Sequence, residues 1–403
     1  MQKKIIALAV AGLSTAAFAQ TNVTIYGVAD VSGQGTNVSS HVATVSNNIT
    51  GSSFNMKNNS SLIGFKGTED LGNGLKALFQ METNVNATGN STVAANNGNL
   101  FGNARDTYVG LNSKYGTVLG GYLSTPYRSA LNSFDVMPGA TGDGRIENIM
   151  GKTQYTAGSG GVTGAATAGS TLASSIRATA IAYALPTMYG FNGSIAYTGS
   201  TNNMNNQAYG TAANLRSGMS FNLGWDGYGV GIKGAFSQFG YDNTQGTSAA
   251  TSIQGYTSYL LGAQYTGVPG LKVAAVYGRN TIGTNGQNAT TGAAQKGSNN
   301  QIWVGASYRF GNNEPRLSYV NTSNVSGMND PTSTNLYASQ TGAKQWTANW
   351  GYYLSKRTQV YGIVSLLSNN ANGTYNMASG GSSVVLSGGQ NVTTYGAGLR
   401  TNF

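Results

Sequence analysis

Few residues in this chain are of the kinds that carry out covalent chemistry. There is one histidine, His41, and no cysteine. A catalytic base or a metal ligand needs partners, and with no second His or Cys available His41 reads as a residue of an external loop. Zinc, iron–sulfur and disulfide chemistry fall with the same count. One stretch, Gly229-Val230-Gly231-Ile232-Lys233-Gly234, matches the G-x-G-x-x-G dinucleotide pattern. It continues an alternating strand, opens no helix and sits in no βαβ unit, so there is no helix N-terminus to hold a pyrophosphate. No cofactor and no metal are expected. An enzyme such as a barrel protease or phospholipase would need an acid/base or Ser-His constellation, and only His41 could supply the histidine.

What the chain does have is charge at regular spacing. Lys66, Lys76, Arg216, Lys233, Lys272, Arg309, Arg316 and Arg400 all fall on the polar parity of alternating segments, against Asp30 and Glu82. Such a face, if it lined a wet channel, would present more cations than anions and give a modest anion preference. The elements that would position these charges are strands. In residues 216 to 226, Met219, Phe221, Leu223 and Trp225 share one parity, and Arg216, Gly218, Ser220, Asn222 and Gly224 the other. Residues 301 to 310 set Ile302, Val304, Ala306, Tyr308 and Phe310 against Gln301, Trp303, Gly305, Ser307 and Arg309. Residues 345 to 354 do the same with Trp346, Ala348, Trp350, Tyr352 and Leu354. The apolar parity carries aromatics near strand ends, where the two interfaces of a bilayer would hold them.

Composition narrows the setting. The chain has 403 residues, 59 of them Gly and 24 Tyr, with only 8% charged and a net charge of +10. Collagen is excluded because the glycines follow no three-residue period, and disorder because 40 aromatics would never be buried or membrane-facing in a solvated coil. The basic balance does not point to nucleic acid, since the Lys and Arg are dispersed and no recognition helix is present. No fixed repeat period supports an adhesin solenoid. At the start, Lys3 and Lys4 precede an apolar run from Ile5 to Leu13 and a small-x-small site at Ala17-Phe18-Ala19. This reads as a cleaved export signal over 1–19, leaving one domain over 20–403. Nowhere after it is there an apolar run approaching a membrane helix.

An exported chain that alternates in this way is either a soluble sandwich or a membrane barrel. The outer face of a sandwich normally carries many Lys and Glu, whereas the polar parity here is mostly Gly, Ser, Thr, Asn and Gln. Connections also alternate. Short turns at 69–74, 225–227, 268–270, 311–313 and 355–357 lie between long Asn/Gly/Thr/Ser stretches at about 33–59, 86–100, 240–254, 281–299, 321–343 and 369–390. That asymmetry belongs to an outer-membrane barrel. Roughly 16 strands are expected, near 22–32, 60–69, 75–85, 103–112, 115–123, 178–186, 190–199, 214–226, 228–239, 256–267, 271–279, 300–310, 315–321, 344–354, 358–368 and 391–403. A transmembrane antiparallel barrel of that size encloses an aqueous channel.

Four segments resemble the general porins of Gram-negative outer membranes, in the branch typical of beta-proteobacteria. They are Asn22-Val23-Thr24-Ile25-Tyr26-Gly27-Val28-Ala29-Asp30; the run from Gly64-Phe65-Lys66-Gly67 through Thr68-Glu69-Asp70-Leu71-Gly72-Asn73-Gly74 to Leu75-Lys76-Ala77; Tyr108-Val109-Gly110-Leu111 with Tyr115-Gly116-Thr117-Val118; and the ending Tyr395-Gly396-Ala397-Gly398-Leu399-Arg400-Thr401-Asn402-Phe403. The resemblance implies a homotrimer of 16-stranded barrels set in outer-membrane lipid and lipopolysaccharide. Each barrel would pass ions and small hydrophilic solutes, and its third external loop would fold inward. It also implies that Tyr395, Leu399 and Phe403 form the signal read by the outer-membrane assembly machinery. The third loop would begin after Tyr122, run through Thr125-Pro126-Tyr127-Arg128, and end near residue 148 or later. Its acids, Asp135, Asp143 and Glu147, with Arg145 among them, would face a basic wall on which Arg105 matches the family's arginine before the Val-Gly-Leu strand. Lys66, Glu82, Arg216, Lys233 and Arg309 would be further lumen residues. Two family arginines are replaced, by Leu62 and Gly121, and a Gly/Ala/Ser/Thr insertion at about 157–175 lengthens the loop.

Overall fold

The computed structural model describes residues 22–40, 51–88, 100–137, 142–155, 170–199, 214–242, 253–284, 295–327, 340–377 and 388–403. The expected signal segment and His41 lie outside these residues. The chain begins with β1 (Asn22–Ser40), β2 (Gly51–Asn58), β3 (Leu62–Gly72), β4 (Leu75–Val85), β5 (Phe101–Ala104), β6 (Thr107–Ser113) and β7 (Gly116–Ser124). A long insert follows, with helix α1 (Pro126–Phe134) and a small hairpin of β8 (Lys152–Tyr155) and β9 (Ser170–Ala173). The rest is a meander. It comprises β10 (Arg177–Ala184), β11 (Phe191–Thr198), β12 (Asn214–Gly227), β13 (Val230–Asp242), β14 (Ile253–Tyr265), β15 (Leu271–Thr284) and β16 (Gln295–Tyr308). β17 (Asn313–Thr322), β18 (Ala343–Tyr353), β19 (Thr358–Asn369) and β20 (Gln390–Asn402) complete it.

All but β8 and β9 join one antiparallel sheet, closed where β1 pairs with β20. β1 pairs with β3 along its first half and with β2 along its second, so β2 and β3 are one stave broken at Asn59–Ser61. β5 and β6 likewise pair with successive parts of β4 and are broken at Arg105–Asp106. The barrel therefore has sixteen staves. The expected strands coincide with these sixteen, but β1 runs on to Ser40 and β2 begins at Gly51. The first external connection is thus shorter than the expected 33–59, because Gly33 to Ser39 continue the pairing with β20.

The barrel is inside-out relative to a soluble protein. On β18, Trp346 and Trp350 are 48% and 53% exposed on the outside, while Gln345, Thr347 and Asn349 between them are buried inside. Outward Met219, Phe221 and Leu223 alternate with buried Ser220 in the same way on β12. Aromatics ring both edges of this apolar belt: Phe191, Tyr265, Tyr308, Phe310 and Tyr352 at the short-turn end, and Tyr197, Tyr277 and Trp346 towards the other. Among the described residues no helix is long and apolar enough to cross a membrane, and the crossing is made by strands.

Turn chemistry explains the short connections. Asn73-Gly74 and Tyr228-Gly229 both hold consecutive positive φ angles, the twist that two-residue hairpins demand. Gly229, the first glycine of the dinucleotide-like pattern, is thus a hairpin residue and its companions are strand residues of β13. At the seam, the Phe403 ring lies against Gly27, where a Cβ would collide with it. Gly27 and Phe403 also exchange backbone hydrogen bonds of 3.0 and 3.1 Å.

The apolar core is not at the barrel axis. It lies between the insert after β7 and the inner wall of β13 to β20, where Tyr127, Leu131, Phe134, Met137, Ile146, Ile149 and Met150 meet Leu260, Val276, Trp303 and Leu367. Trp303, an apolar residue on the polar parity, finds its partner here: it is 1% exposed beneath the insert.

Candidate pore constriction

The insert leaves the wall at Ser124 and returns at Arg177, two residues that are register partners on β7 and β10. Thr125 closes this neck through its amide to the Ile176 carbonyl, at 3.0 Å. The same Thr125 caps α1, its hydroxyl accepting from the Arg128 amide, and Pro126 occupies the first turn where its missing N–H costs nothing. Tyr127, Ala130, Leu131 and Phe134 form the buried stripe of α1. That stripe lies on the wall because the wall has been cut away beneath it: a Cβ at Gly262 would come within 2.5 Å of the Phe134 ring. Polar wall residues hold the rest of the insert by its backbone. Ser220 accepts from the Tyr127 amide at 3.0 Å, Asn222 donates to the Pro126 carbonyl at 2.8 Å, and Gln301 donates to the carbonyls of Ile149 and Lys152. Gln345 and Ser365 both donate to the Asp143 carbonyl.

The insert thus lines the lumen wall of β12 to β19 and faces the opposite wall of β2 to β7 and β10. The gap between them is ringed by charges. Arg105, in the break between β5 and β6, pairs with Glu82 of its own wall and donates to Asn84 at 3.1 Å. Asp106 accepts from the backbone of Ser124 and pairs with Arg177 at 3.1 Å. On the insert, Glu147 is clamped between Arg128 at 2.7 Å and Arg145 at 2.6 Å and also accepts from Ser175 and Asn132. Arg145 reaches the far wall, with its Nη1 3.5 Å from Ser60 in the break between β2 and β3. Four guanidiniums and three carboxylates therefore meet at the narrowing.

Electrostatics fix these charges. Burial pushes the Glu147 carboxyl up, but Arg128, Arg145 and the Ser175 and Asn132 hydrogen bonds outweigh it and hold the group down at about 2. Burial pulls Arg128 down to about 10 despite Glu147, and its Nε is buried without a hydrogen-bond partner. Both remain charged at neutral pH.

The expected loop acids occupy three different places. Only Glu147 joins the ring of charges. Asp135 turns back into the insert, capping the amides of Met137 and Ile146 at 2.9 and 3.2 Å, and burial raises it to about 6. Asp143 is fully buried beside β18 and β19. The partner of Arg105 is a wall residue, Glu82, rather than a loop acid. Lys66 lies over the inward Tyr26 ring, and Lys233 is 3.9 Å from Asp226. Arg309 stands just past β16 at the short-turn rim, its guanidinium 3.8 Å from the Tyr353 ring centre. Arg216 lies on β12, and its side chain is outside what is described. Of the substituted positions, Gly121 holds φ +151°, and any Cβ there would strike the Thr107 carbonyl, so no arginine can occupy it in this wall. Leu62 is half-buried on the lumen parity of β3. Sequence reasoning missed Asp106, Arg128 and Arg177 as members of the ring; the adjacency of Asp106 to Arg105, and Arg177 at the return of the insert, were the available signals.

A closed sixteen-stave barrel with an apolar exterior, a polar lumen and a charged insert across it defines an outer-membrane channel. Comparisons agree. The family model for Gram-negative porins matches residues 6–372, and the chain belongs to that family. The major outer membrane protein P.IB of Neisseria gonorrhoeae is 27% identical over 333 residues, covering 79% of this chain and 82% of the relative. An outer membrane porin protein of Bordetella pertussis is 27% identical over 399 residues, covering 92% and 95%. Among solved structures, the anion-selective porin from Comamonas acidovorans superposes with a TM-score of 0.67 at 23% identity, covering 95% of this chain and 100% of its own. OmpF of Salmonella typhi gives 0.59 at 18%, covering 94% and 97%. The protein is an outer-membrane porin of beta-proteobacterial type, a channel and not an enzyme.

Proposed function

We propose that this porin passes ions and small hydrophilic solutes passively with a weak preference for anions. The observation that carries this is the ring at the narrowing, where Arg105, Arg128, Arg145 and Arg177 outnumber Glu82, Asp106 and Glu147 by one. A single excess charge matters in a narrow passage because low-dielectric walls focus its field along the axis. The anion selectivity named for the Comamonas porin supports the same sign. Asp135 and Asp143 contribute to the insert's own architecture, while Glu147 is the acid that tempers the filter.

The working unit is a homotrimer, a form in which the similarly folded OmpT of Vibrio cholerae has been solved. Tyr395, Leu399 and Phe403 project outward from β20, each about half exposed, and serve as the apolar stripe read by the assembly machinery before lipid and lipopolysaccharide surround the barrel.

Planar-bilayer recording under a KCl gradient tests the reading. Conductance should rise in groups of three steps, with a reversal potential favouring chloride. A reversal potential favouring potassium would overturn the anion preference. Arg105→Ala removes the excess charge and should bring the chloride-to-potassium permeability ratio down about twofold towards unity; an unchanged reversal potential would take Arg105 out of the filter.

A further inference from the structure

A second cationic cleft lies on the other side of the insert from the ring of charges. Its roof is the stretch Asp135–Met137, and its walls are the short-turn ends of β15 to β20, contributing Lys272, Glu314, Arg316, Tyr353, Arg357 and Arg400. It encloses about 280 Å³, the share of liquid volume of roughly nine waters. Four cations line it against two carboxylates, Asp135 and Glu314.

The cations are unequally committed. Arg316 is 7% exposed and is held rigid: its two terminal nitrogens donate to Asn349 at 2.6 Å and Glu314 at 2.7 Å, with Tyr353 and Gln359 beyond. Its Nε is nonetheless buried with no hydrogen-bond partner, a costly state for a charged donor. Arg400 has Asp30 behind it at 3.5 Å. Lys272 donates only to the carbonyls of Ser133 and Asp135, both at 2.9 Å. Arg357 is exposed in the turn after β18. Among the described residues neither Lys272 nor Arg357 forms an ion pair. A guanidinium fixed in place by its neighbours, flanked by two cations that form no ion pair among the described residues in a cleft open to the lumen, is a site for a compact anion with several oxygens.

We propose that this cleft binds a small divalent oxyanion, a phosphate or a dicarboxylate, between Arg316, Arg357 and Lys272 at the short-turn mouth of the channel. It rests on the lumen being an aqueous channel, and not on the sign of selectivity at the narrowing. Arg357 captures the ion from solution, Arg316 supplies a fixed positive charge behind it, and Lys272 ties the site to the insert through the Asp135 carbonyl. Occupancy would couple the ion to the insert.

Inorganic phosphate is the probe, titrated calorimetrically into the detergent-folded full-length protein at ionic strength held constant with chloride. Saturable binding at one site per chain is expected. Arg357→Gln changes the side chain of an exposed turn residue and keeps its backbone bond to the Asn402 amide, and should weaken binding about tenfold, the worth of one charged hydrogen bond. Arg316→Lys keeps the charge and loses the fork, and should weaken it as well, whereas Arg105→Gln should leave it unchanged. Absence of saturable binding to the native protein overturns the proposal. So does binding that survives Arg357→Gln but is lost in Arg105→Gln, which would move the anion to the narrowing. A potassium-selective channel that still binds phosphate through Arg357 would sink the anion-preference reading and leave this one standing.

Discussion

Asp135 and Glu147 are both buried acids of the insert, yet they respond to acid oppositely. Glu147, held at about 2 by two guanidiniums, stays charged wherever the barrel is folded. Asp135 has two amides and the charge of Arg145 to offset its burial, too little to cancel it, and sits at about 6, roughly two pH units above a free aspartate. A raised acid stabilises the fold fully below the free value near 4 and loses that stability as pH rises through 6. Its ionised form thus costs on the order of 3 kcal/mol at neutral pH. Lowering pH from 7 to 5 should neutralise Asp135 and raise the heat stability of the folded barrel, with a midpoint near 6. Asp135→Asn should be without that pH-dependent gain; a midpoint near 6 that persists in the variant would assign the titration to another group. At this scale the resemblance pointed to Arg105 as a wall residue, and it stands in the break between β5 and β6, paired with Glu82. The roles of the acids were not legible. Residue type records that Asp135 is charged, but whether it faces the lumen or caps Met137 depends on how the loop turns, and nothing periodic encodes that turn.

The strands declared themselves through alternation, and their number and order followed from sixteen alternating segments separated by turns. α1 did not, although its signals are present: Thr125 as cap, Pro126 in the first turn, and Tyr127, Ala130, Leu131 and Phe134 at helical spacing. Nine residues give too few turns for periodicity to stand out in a glycine-rich chain. The breaks in the second and fourth staves were equally hidden: β2 fell within the stretch expected as the first long loop, and 103–112 read as one continuous strand across Arg105–Asp106. α1 depends on the bare wall at Gly262. Gly262→Leu should overpack the Phe134 site by about 1–3 kcal/mol and push the helix towards the axis. Single-channel conductance should fall while the barrel's heat stability changes little. Unaltered conductance would show that the helix does not set the width of the passage.

Closure belongs to the whole molecule. The terminal residue contributes two backbone hydrogen bonds and a ring to the seam at Gly27, and Asp30 on β1 accepts from Tyr361 of β19 at 2.6 Å behind it. Removing Phe403 should cost about 1–3 kcal/mol, because its ring is only half covered. The shift from folded to heat-denatured migration in detergent gels should then occur at a lower temperature; an unchanged transition would mean the seam is held by β1 and β20 alone. The outward aromatic belt and the inward polar face were readable from parity. The apolar core between insert and wall was not, because Trp303 and Leu367 on the lumen side acquire partners only after the insert folds over them.

The neck formed by Thr125 and Ile176 has a further consequence. More than fifty residues enter and leave the wall through adjacent positions on β7 and β10, joined by a single backbone hydrogen bond and the Thr125 hydroxyl. The insert is therefore a cassette. Its sequence can lengthen or exchange its charges without altering the register of any stave. Natural variation can retune what the channel admits while the barrel that carries it stays the same.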